Sequence, residues 1–311
     1  AVSETKAVSK TELEAFRFNP AIQNRPNQIL NIEKEENGIV LTLGTMARRA
    51  MLSYTHETSL HLYKPADITI EKVYLHINLW TDEIFRVVFS KDKEIINHFA
   101  GLPEDAQMLI AKPENVDFTL NETDNEITLT TSKIQVTINK ETTRISAKFI
   151  DGKEFYAQKK QDFRTGDIHD LALADLDGDY ACFESLELEA DEVVYGLGER
   201  FDSLTRNGRT VDFHNKDAVG TTSRRSYLNI PFYLSTKGYG LFLNSSAKTD
   251  WQIGTTDLSV LQFAVLDSQI DYFVIGGKTP KDIIKGYCTL TGYSKLPPLW
   301  SFGLWMSRNS Y

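Results

Sequence analysis

Between residues 126 and 139 apolar and polar side chains alternate with a period of two: Ile127, Leu129, Ile134, Val136 and Ile138 are interleaved with Thr128, Thr130, Gln135 and Thr137. An extended chain turns successive side chains to opposite faces, so this pattern belongs to antiparallel strands with one face in a core and the other in water. Runs of the same kind recur at residues 39–43, 59–63, 73–79, 84–89 and 144–150. Glu36-Asn37-Gly38 and Asp151-Gly152 supply residues that tolerate the positive φ of hairpin turns. Many short strands with no βαβ alternation predict an antiparallel β-sandwich.

Composition narrows the functions open to such a fold. The chain has 311 residues, 41% hydrophobic and 25% charged, enough for two domains or one large β domain. The most apolar stretch, residues 296–306, is interrupted by prolines, glycine and serine, and is too short and broken for a membrane helix. A net charge of -9, from 34 basic and 43 acidic residues, argues against nucleic acid or an anionic membrane surface as partner and favours a neutral or cationic ligand. Cys182 and Cys288 lie too far apart for a zinc ribbon or a CxxC pair, and are expected as buried free thiols. The first twenty residues are polar, with Lys6, Lys10 and Arg17 and no apolar signal core, which suggests a cytoplasmic protein. A first residue of Ala1 leaves a removed leader open.

The second half changes character. Residues 230–234, 240–244 and 272–275 read as buried strands, whereas 202–229 are polar, irregular and rich in Arg and Asn. An irregular stretch of that length in a compact domain is either functional or disordered. Thr279 as N-cap and Pro280 at the first helical position predict a helix to about Leu290, ended by Gly292. Leu296-Pro297-Pro298 reads as a linker, and Trp300 to Trp305 as a new buried strand. A strand with no partner after it suggests a domain that continues elsewhere; an edge strand completing the sandwich is the alternative.

Several familiar patterns fail on inspection. His56 and His61 would face opposite sides of a strand and make no metal pair. In Asp175-Leu176-Asp177-Gly178-Asp179 the glycine falls between the acids, unlike a calcium loop, and an acidic turn is the simpler reading. Gly196-Leu197-Gly198-Glu199-Arg200 starts like a dinucleotide fingerprint, but Phe201 replaces its last glycine; a tight turn after a strand at 192–195 is expected instead. Neither a Gly-x-Ser-x-Gly elbow nor a phosphate loop occurs. What remains is a mixed set, Asn207, Arg209, Asp212, His214, Asn215, Lys216 and Asp217, followed by Thr221, Thr222, Arg224, Arg225 and Tyr227. Such donors and acceptors with aromatic faces nearby suit sugar hydroxyls, and a solvated surface loop explains the composition equally well.

In this region the sequence resembles glycoside hydrolase family 31. The resemblance rests on Tyr195-Gly196-Leu197-Gly198-Glu199-Arg200-Phe201, Arg206-Asn207-Gly208, Asn215-Lys216-Asp217, Asn229-Ile230-Pro231-Phe232-Tyr233, Gly238-Tyr239-Gly240, Tyr272-Phe273-Val274 and Leu296-Pro297-Pro298-Leu299-Trp300-Ser301-Phe302-Gly303-Leu304-Trp305, in that order. The Asn-x-Asp loop followed by Tyr-x-Asn-Ile-Pro-Phe-Tyr is similar to the bacterial α-xylosidase branch. The resemblance implies a mutarotase-like β-sandwich followed by a catalytic (β/α)8 barrel whose first strand is Trp300 to Trp305. It divides the chain into an extension (1–27), the sandwich (28–291) carrying the loop 202–229, and a linker with the start of the barrel (292–311).

Family members are retaining glycosidases that use two carboxyl groups roughly 5 Å apart, one as nucleophile and one as acid/base. Asp117-Phe118, Asp162-Phe163 and Asp212-Phe213 do not continue into the Gly-Glu of the family's nucleophile motif. The catalytic acids are therefore expected beyond Tyr311, and the chain alone is expected to be inactive. The Asp of the family's Asn-x-Asp loop reaches the sugar near the cleavage point, a place that matches Asp217. Its neighbours Phe213, His214, Ala218 and Val219 depart from the xylosidase pattern, which bears on leaving-group preference. Tyr311, or Ser310 in a shorter loop, matches the position where an aromatic side chain borders the sugar. Glu199 and Arg200 read as structural, and Trp300, Phe302 and Trp305 as barrel core. The resemblance implies an oligosaccharide or α-xyloside substrate, no metal or organic cofactor, and leaves room for a homo-oligomer. An α-glucosidase and a non-catalytic carbohydrate-binding sandwich are the competing readings.

Overall fold

The computed structural model describes residues 23–24, 26, 28–44, 72–103, 106–159, 172–176, 179–213, 215, 226–255 and 257–307. Three antiparallel sheets build it. The largest has eight strands: β2 (Gln28–Glu35), β3 (Gly38–Gly44), β4 (Lys72–Leu79), β5 (Ile84–Ser90), β13 (Val194–Gly196), β15 (Phe232–Ser235), β16 (Tyr239–Leu243) and β19 (Gln269–Gly276), in the order β13-β15-β16-β19-β5-β4-β3-β2. Five strands, β6 (Thr119–Glu122), β7 (Glu126–Thr130), β8 (Ile134–Asn139), β9 (Ile145–Phe149) and β10 (Glu154–Ala157), form a meander. The third sheet has β1 (Gln23–Asn24), β11 (Ala172–Leu176), β12 (Asp179–Glu187), β14 (Arg209–Phe213), β17 (Thr249–Ile253) and β18 (Val260–Val265), in the order β1-β11-β12-β18-β17-β14. A bridge between Gln158 and Leu186 joins the two smaller sheets.

The period-two reading holds at β8, while β3 is buried on both faces and shows no alternation. Ile134, Val136 and Ile138 of β8 are fully buried, and the residues between them are half-buried. Together with Ile127 and Leu129 they meet Leu75, Ile77 and Phe85 from the inner face of the large sheet in one continuous core. Edge-on aromatic contacts hold both smaller sheets to that face: Phe85 to Tyr156 at one end, Phe263 to Tyr272 and Tyr233 to Trp251 at the other. A buried polar seam crosses the same interface. The carboxylate of fully buried Glu184 accepts hydrogen bonds from Gln158 Nε2 at 2.8 Å, Tyr272 Oη at 2.7 Å and the Ser185 amide at 2.8 Å. Burial pushes the phenols of Tyr156 and Tyr272 well above their ordinary range, so both stay neutral and able to donate.

Helix α1 (Pro280–Thr291) starts as the sequence predicts. Thr279 and Asp282 form a reciprocal capping box, and Gly292 ends the helix at φ 91°. Its Ile283 and Leu290 cover Trp80, Ile84, Phe242, Phe273 and Ile275 on the outer face of the large sheet. No helix among the described residues is long and apolar enough to cross a membrane.

Two expectations change. Residues 300–305 are not a strand: Leu299–Phe302 form a 3-10 helix, with Ser301 N donating to Pro298 O at 2.9 Å and Gly303 N to Trp300 O at 3.1 Å. A strand needs a neighbour to take its backbone groups, and here local i to i+3 bonds take them instead. Trp300 and Trp305 are 80% and 76% exposed in this chain. Of the two free cysteines, Cys182 is buried but Cys288 only half-buried, on α1. The strand expected at 59–63, with His56 and His61, lies outside the described residues.

One buried group works against the fold. His76, in the middle of β4 between Val40 and Val88, is 4% exposed, and neither ring nitrogen has a hydrogen-bond partner among the described residues. The Lys93 backbone faces the ring without reaching hydrogen-bonding geometry. Burial lowers the imidazole pKa; Arg86 and Lys93 add to this and Glu35 opposes it. With a folded pKa below the unfolded one, unfolding takes up a proton, so stability is full above about pH 6.5 and falls as pH drops below it. His76→Leu is expected to stabilise the protein by about 1–3 kcal/mol at pH 7.5. The advantage should grow at pH 5 when urea unfolding is compared at both values; a pH-independent difference would contradict the burial argument.

Candidate functional site

The loop that carries the mixed polar set leaves the large sheet through a turn of unusual geometry. Gly196, Leu197 and Gly198 follow β13 with φ of 118°, 60° and 84°. A Cβ on Gly196 would lie 2.7 Å from the Phe232 carbonyl oxygen, and one on Gly198 would lie 2.2 Å from that of Leu228. Both positions therefore require glycine on space as well as on φ. Leu197 bears the left-handed conformation, which costs about 1–2 kcal/mol, while its side chain is fully buried in the main core. Its N–H donates to Phe232 O at 2.8 Å, so the turn serves strand pairing and not a phosphate.

Arg206 closes this turn from beneath. It is buried, and its guanidinium donates from Nε to Gly196 O at 2.7 Å, from Nη1 to Ser203 O at 2.9 Å and Asp202 Oδ1 at 2.5 Å, and from Nη2 to Gly198 O at 3.4 Å. Asn207 binds backbone only: Nδ2 donates to Glu192 O at 2.8 Å and Oδ1 accepts from Val194 N at 2.9 Å. The structure thus removes Asn207 from the sugar-facing set and places it in the scaffold. Glu192, whose carbonyl it holds, is itself buried, which raises its carboxyl pKa.

From this base, β14 carries Arg209 and Asp212 along the edge of the third sheet, paired with Ile253 and Asp250 of β17. Beyond it a chain of side chains crosses the mouth of the loop. Arg200 donates from Nε to Leu197 O at 3.3 Å, lies 5.6 Å from the Phe213 ring centroid, and donates from Nη2 to Asn229 Oδ1; Asn229 Nδ2 in turn donates to Asn215 Oδ1. The guanidinium is half-buried, which lowers its pKa yet leaves it a cation. Arg200 is structural in the sense expected, whereas the Glu199 side chain is exposed and contributes its backbone, N to Leu228 O at 3.0 Å and O from Ser226 Oγ at 2.8 Å.

The chain of contacts ends on Asn215, the first residue of Asn215-Lys216-Asp217. Asp217, with His214, Lys216, Thr221, Thr222, Arg224 and Arg225, lies outside the described residues, as does Tyr311. Tyr227 and Leu228 are exposed beside the anchored Ser226 and Asn229. The part of Asn229 was not read from sequence: its partners are remote in the chain, and nothing local to Asn229-Ile230-Pro231 marks it. Among the described residues no three His, Cys, Asp or Glu side chains come together to hold a metal ion.

The family model for the glycosyl hydrolase 31 N-terminal galactose mutarotase-like domain matches residues 74–251, more than half of the chain. The chain belongs to glycosyl hydrolase family 31. Within the family it is 46% identical over 126 residues, 40% of this chain and 16% of the relative, to the α-xylosidase XylQ of Lactiplantibacillus pentosus. It is 30% identical over 244 residues, 76% of this chain and 28% of the relative, to α-glucosidase 2 of Bacillus thermoamyloliquefaciens. The cycloalternan-forming enzyme of Listeria monocytogenes, solved with a pentasaccharide substrate, has the same fold, with a TM-score of 0.71 and 21% identity over 92% of this chain and 24% of that one. The matched region is thus less than a third of each relative's length.

Two glycines of similar conformation test the geometry of the loop base. Gly208, at φ 71°, has open space where a Cβ would sit, unlike Gly198. Gly208→Ala should lose about 1–2 kcal/mol of unfolding free energy, from conformation alone. Gly198→Ala should lose about 3 kcal/mol or more, because a carbonyl must also move. Equal losses in chemical denaturation would mean that the close approach is absent.

Proposed function

We propose that this chain is the sandwich part of a retaining α-glycosidase, most specifically an α-xylosidase that removes terminal α-linked xylose from oligosaccharides, and that it lends the loop 202–229 to the sugar pocket. The observation that carries the xylosidase reading is the 46% identity to an α-xylosidase over 126 residues, beside 30% to an α-glucosidase over 244 residues. The side-chain chain from Arg200 through Asn229 to Asn215 supports a functional loop over a merely solvated one, since it fixes the residue two positions before Asp217.

In this reading the catalytic carboxyls, about 5 Å apart, come from a barrel beyond Tyr311, and the reaction uses water and no metal or organic cofactor. Asp217 accepts hydrogen bonds from two sugar hydroxyls at once, which an ionised carboxylate can do with its four lone-pair directions. Tyr311 borders the same sugar. An α-glucosidase is the second reading, favoured by an alignment to such an enzyme that extends over 76% of the chain.

Substrate profiling of the complete enzyme decides between them: isoprimeverose and p-nitrophenyl α-xyloside should be turned over faster than p-nitrophenyl α-glucoside, and the reverse order would overturn the xylosidase assignment. Asp217→Ala should lower kcat/KM about fivefold or more, the loss of about 1 kcal/mol of hydrogen bonding. A change within about twofold would refute the hydroxyl contacts. The 311-residue chain by itself should show no hydrolysis.

A further inference from the structure

We propose that Asn215 donates a hydrogen bond from its side-chain amide to a hydroxyl oxygen of the bound sugar, and that Arg200 imposes this polarity on it through Asn229. The inference rests on the glycosidase reading of the loop and adds to it a substrate contact, Asn215, and a positioning residue, Asn229.

Donor and acceptor roles along these three side chains have one solution. A guanidinium carries N–H groups and nothing that accepts, and it stays protonated. The Asn229 atom that meets Arg200 Nη2 is therefore Oδ1, which turns the Asn229 amide nitrogen towards Asn215. An amide nitrogen only donates, so the Asn215 atom that receives it is again Oδ1. Of two nearly isosteric amide orientations, each asparagine is thus held in one. The head of the relay is itself fixed: Arg200 Nε donates to Leu197 O at 3.3 Å in the glycine turn, and the guanidinium lies 5.6 Å from the Phe213 ring centroid. What the relay leaves at its far end is the Asn215 Nδ2 group, from which no described residue accepts. A cation at the head polarises the amides in series and strengthens that last donor.

The chemistry of a hydroxyl gives this donor a task. Each sugar hydroxyl has one proton to donate and two lone pairs that accept. An ionised carboxylate only accepts, so Asp217, two residues further along the chain, takes hydroxyl protons and leaves the oxygens' own lone pairs to be met by something else. In an enclosed pocket, acceptors left without a donor carry a desolvation penalty. An amide N–H supplied from the same loop meets that need. It does so without a second formal charge, which suits a neutral, polyhydroxylated ligand.

The test uses the complete enzyme with isoprimeverose and its monodeoxy derivatives. Asn215→Asp removes the donor and keeps the shape and the contact with Asn229. In Asn229→Asp the Arg200 contact persists as an ion pair, and Asn215 turns its amide over to donate to the new carboxylate; the loop stays tethered while the group offered to the sugar becomes an acceptor. Each variant should lower kcat/KM for isoprimeverose about fivefold with thermal unfolding unchanged. The Asn215→Asp loss should vanish on the one derivative that lacks the hydroxyl concerned and persist on the others, and it should also persist in an Asp217→Ala background. Activity of either variant within about twofold of wild type, or an equal loss on every derivative, overturns the donor relay and leaves the glycosidase reading standing. A loss that disappears once Asp217 is removed means that Asn215 acts through Asp217, and overturns the direct contact. If the wild-type enzyme prefers glucosides, maltose and its monodeoxy derivatives give the same readout. A wild-type enzyme with no α-glycosidase activity overturns both readings.

Discussion

A single buried guanidinium sets the geometry on which the loop depends. Gly196 and Gly198 turn the chain through positive φ, and each leaves a carbonyl that needs a donor. Arg206 meets both, together with Ser203 O and Asp202. Buried acceptors left without a donor cost about 1–3 kcal/mol each, so the turn and the arginine are one unit. The direction in which the chain leaves β13 follows from that unit. So does the position of the returning chain, where Leu228 O accepts from Glu199 N and Phe232 O from Leu197 N.

Further out the same economy of donors continues, with a change of purpose. Asn207 and Asn215 are both amides in a polar stretch, yet one binds only backbone of the sandwich and the other ends a side-chain chain at the mouth of the loop. Composition cannot separate them, because the difference lies in the Glu192 carbonyl and the Val194 amide that happen to lie beside Asn207. The remote pairings of the sheets are hidden for the same reason. Nothing local tells β1 that its partner is β11, or β12 that it lies beside β18.

Local physics was legible where local physics decides. The alternation of β8, the N-cap at Thr279 and the glycine turn after β13 each follow from a few neighbouring residues, and each stands as read. The strand expected over Trp300 to Trp305 did not, because apolarity promotes burial but a strand also needs a paired edge, and without one the 3-10 turn takes the backbone bonds. The family resemblance supplied what periodicity could not: membership of glycosyl hydrolase family 31 and, through it, the reason to look at residues 215–217 at all.

The picture that joins these parts is a rigid double-layered scaffold, pinned through the Glu184 seam, that presents a loop anchored by Arg206 at its base and by Asn229 at its mouth. Its central claim is that this loop forms a wall of the sugar pocket. A crystal structure of the complete enzyme with isoprimeverose bound, in a variant lacking its nucleophile, tests that most directly. The account expects the Asp217 carboxylate within about 3 Å of two hydroxyls of the bound sugar; a loop 202–229 lying clear of the sugar would contradict it.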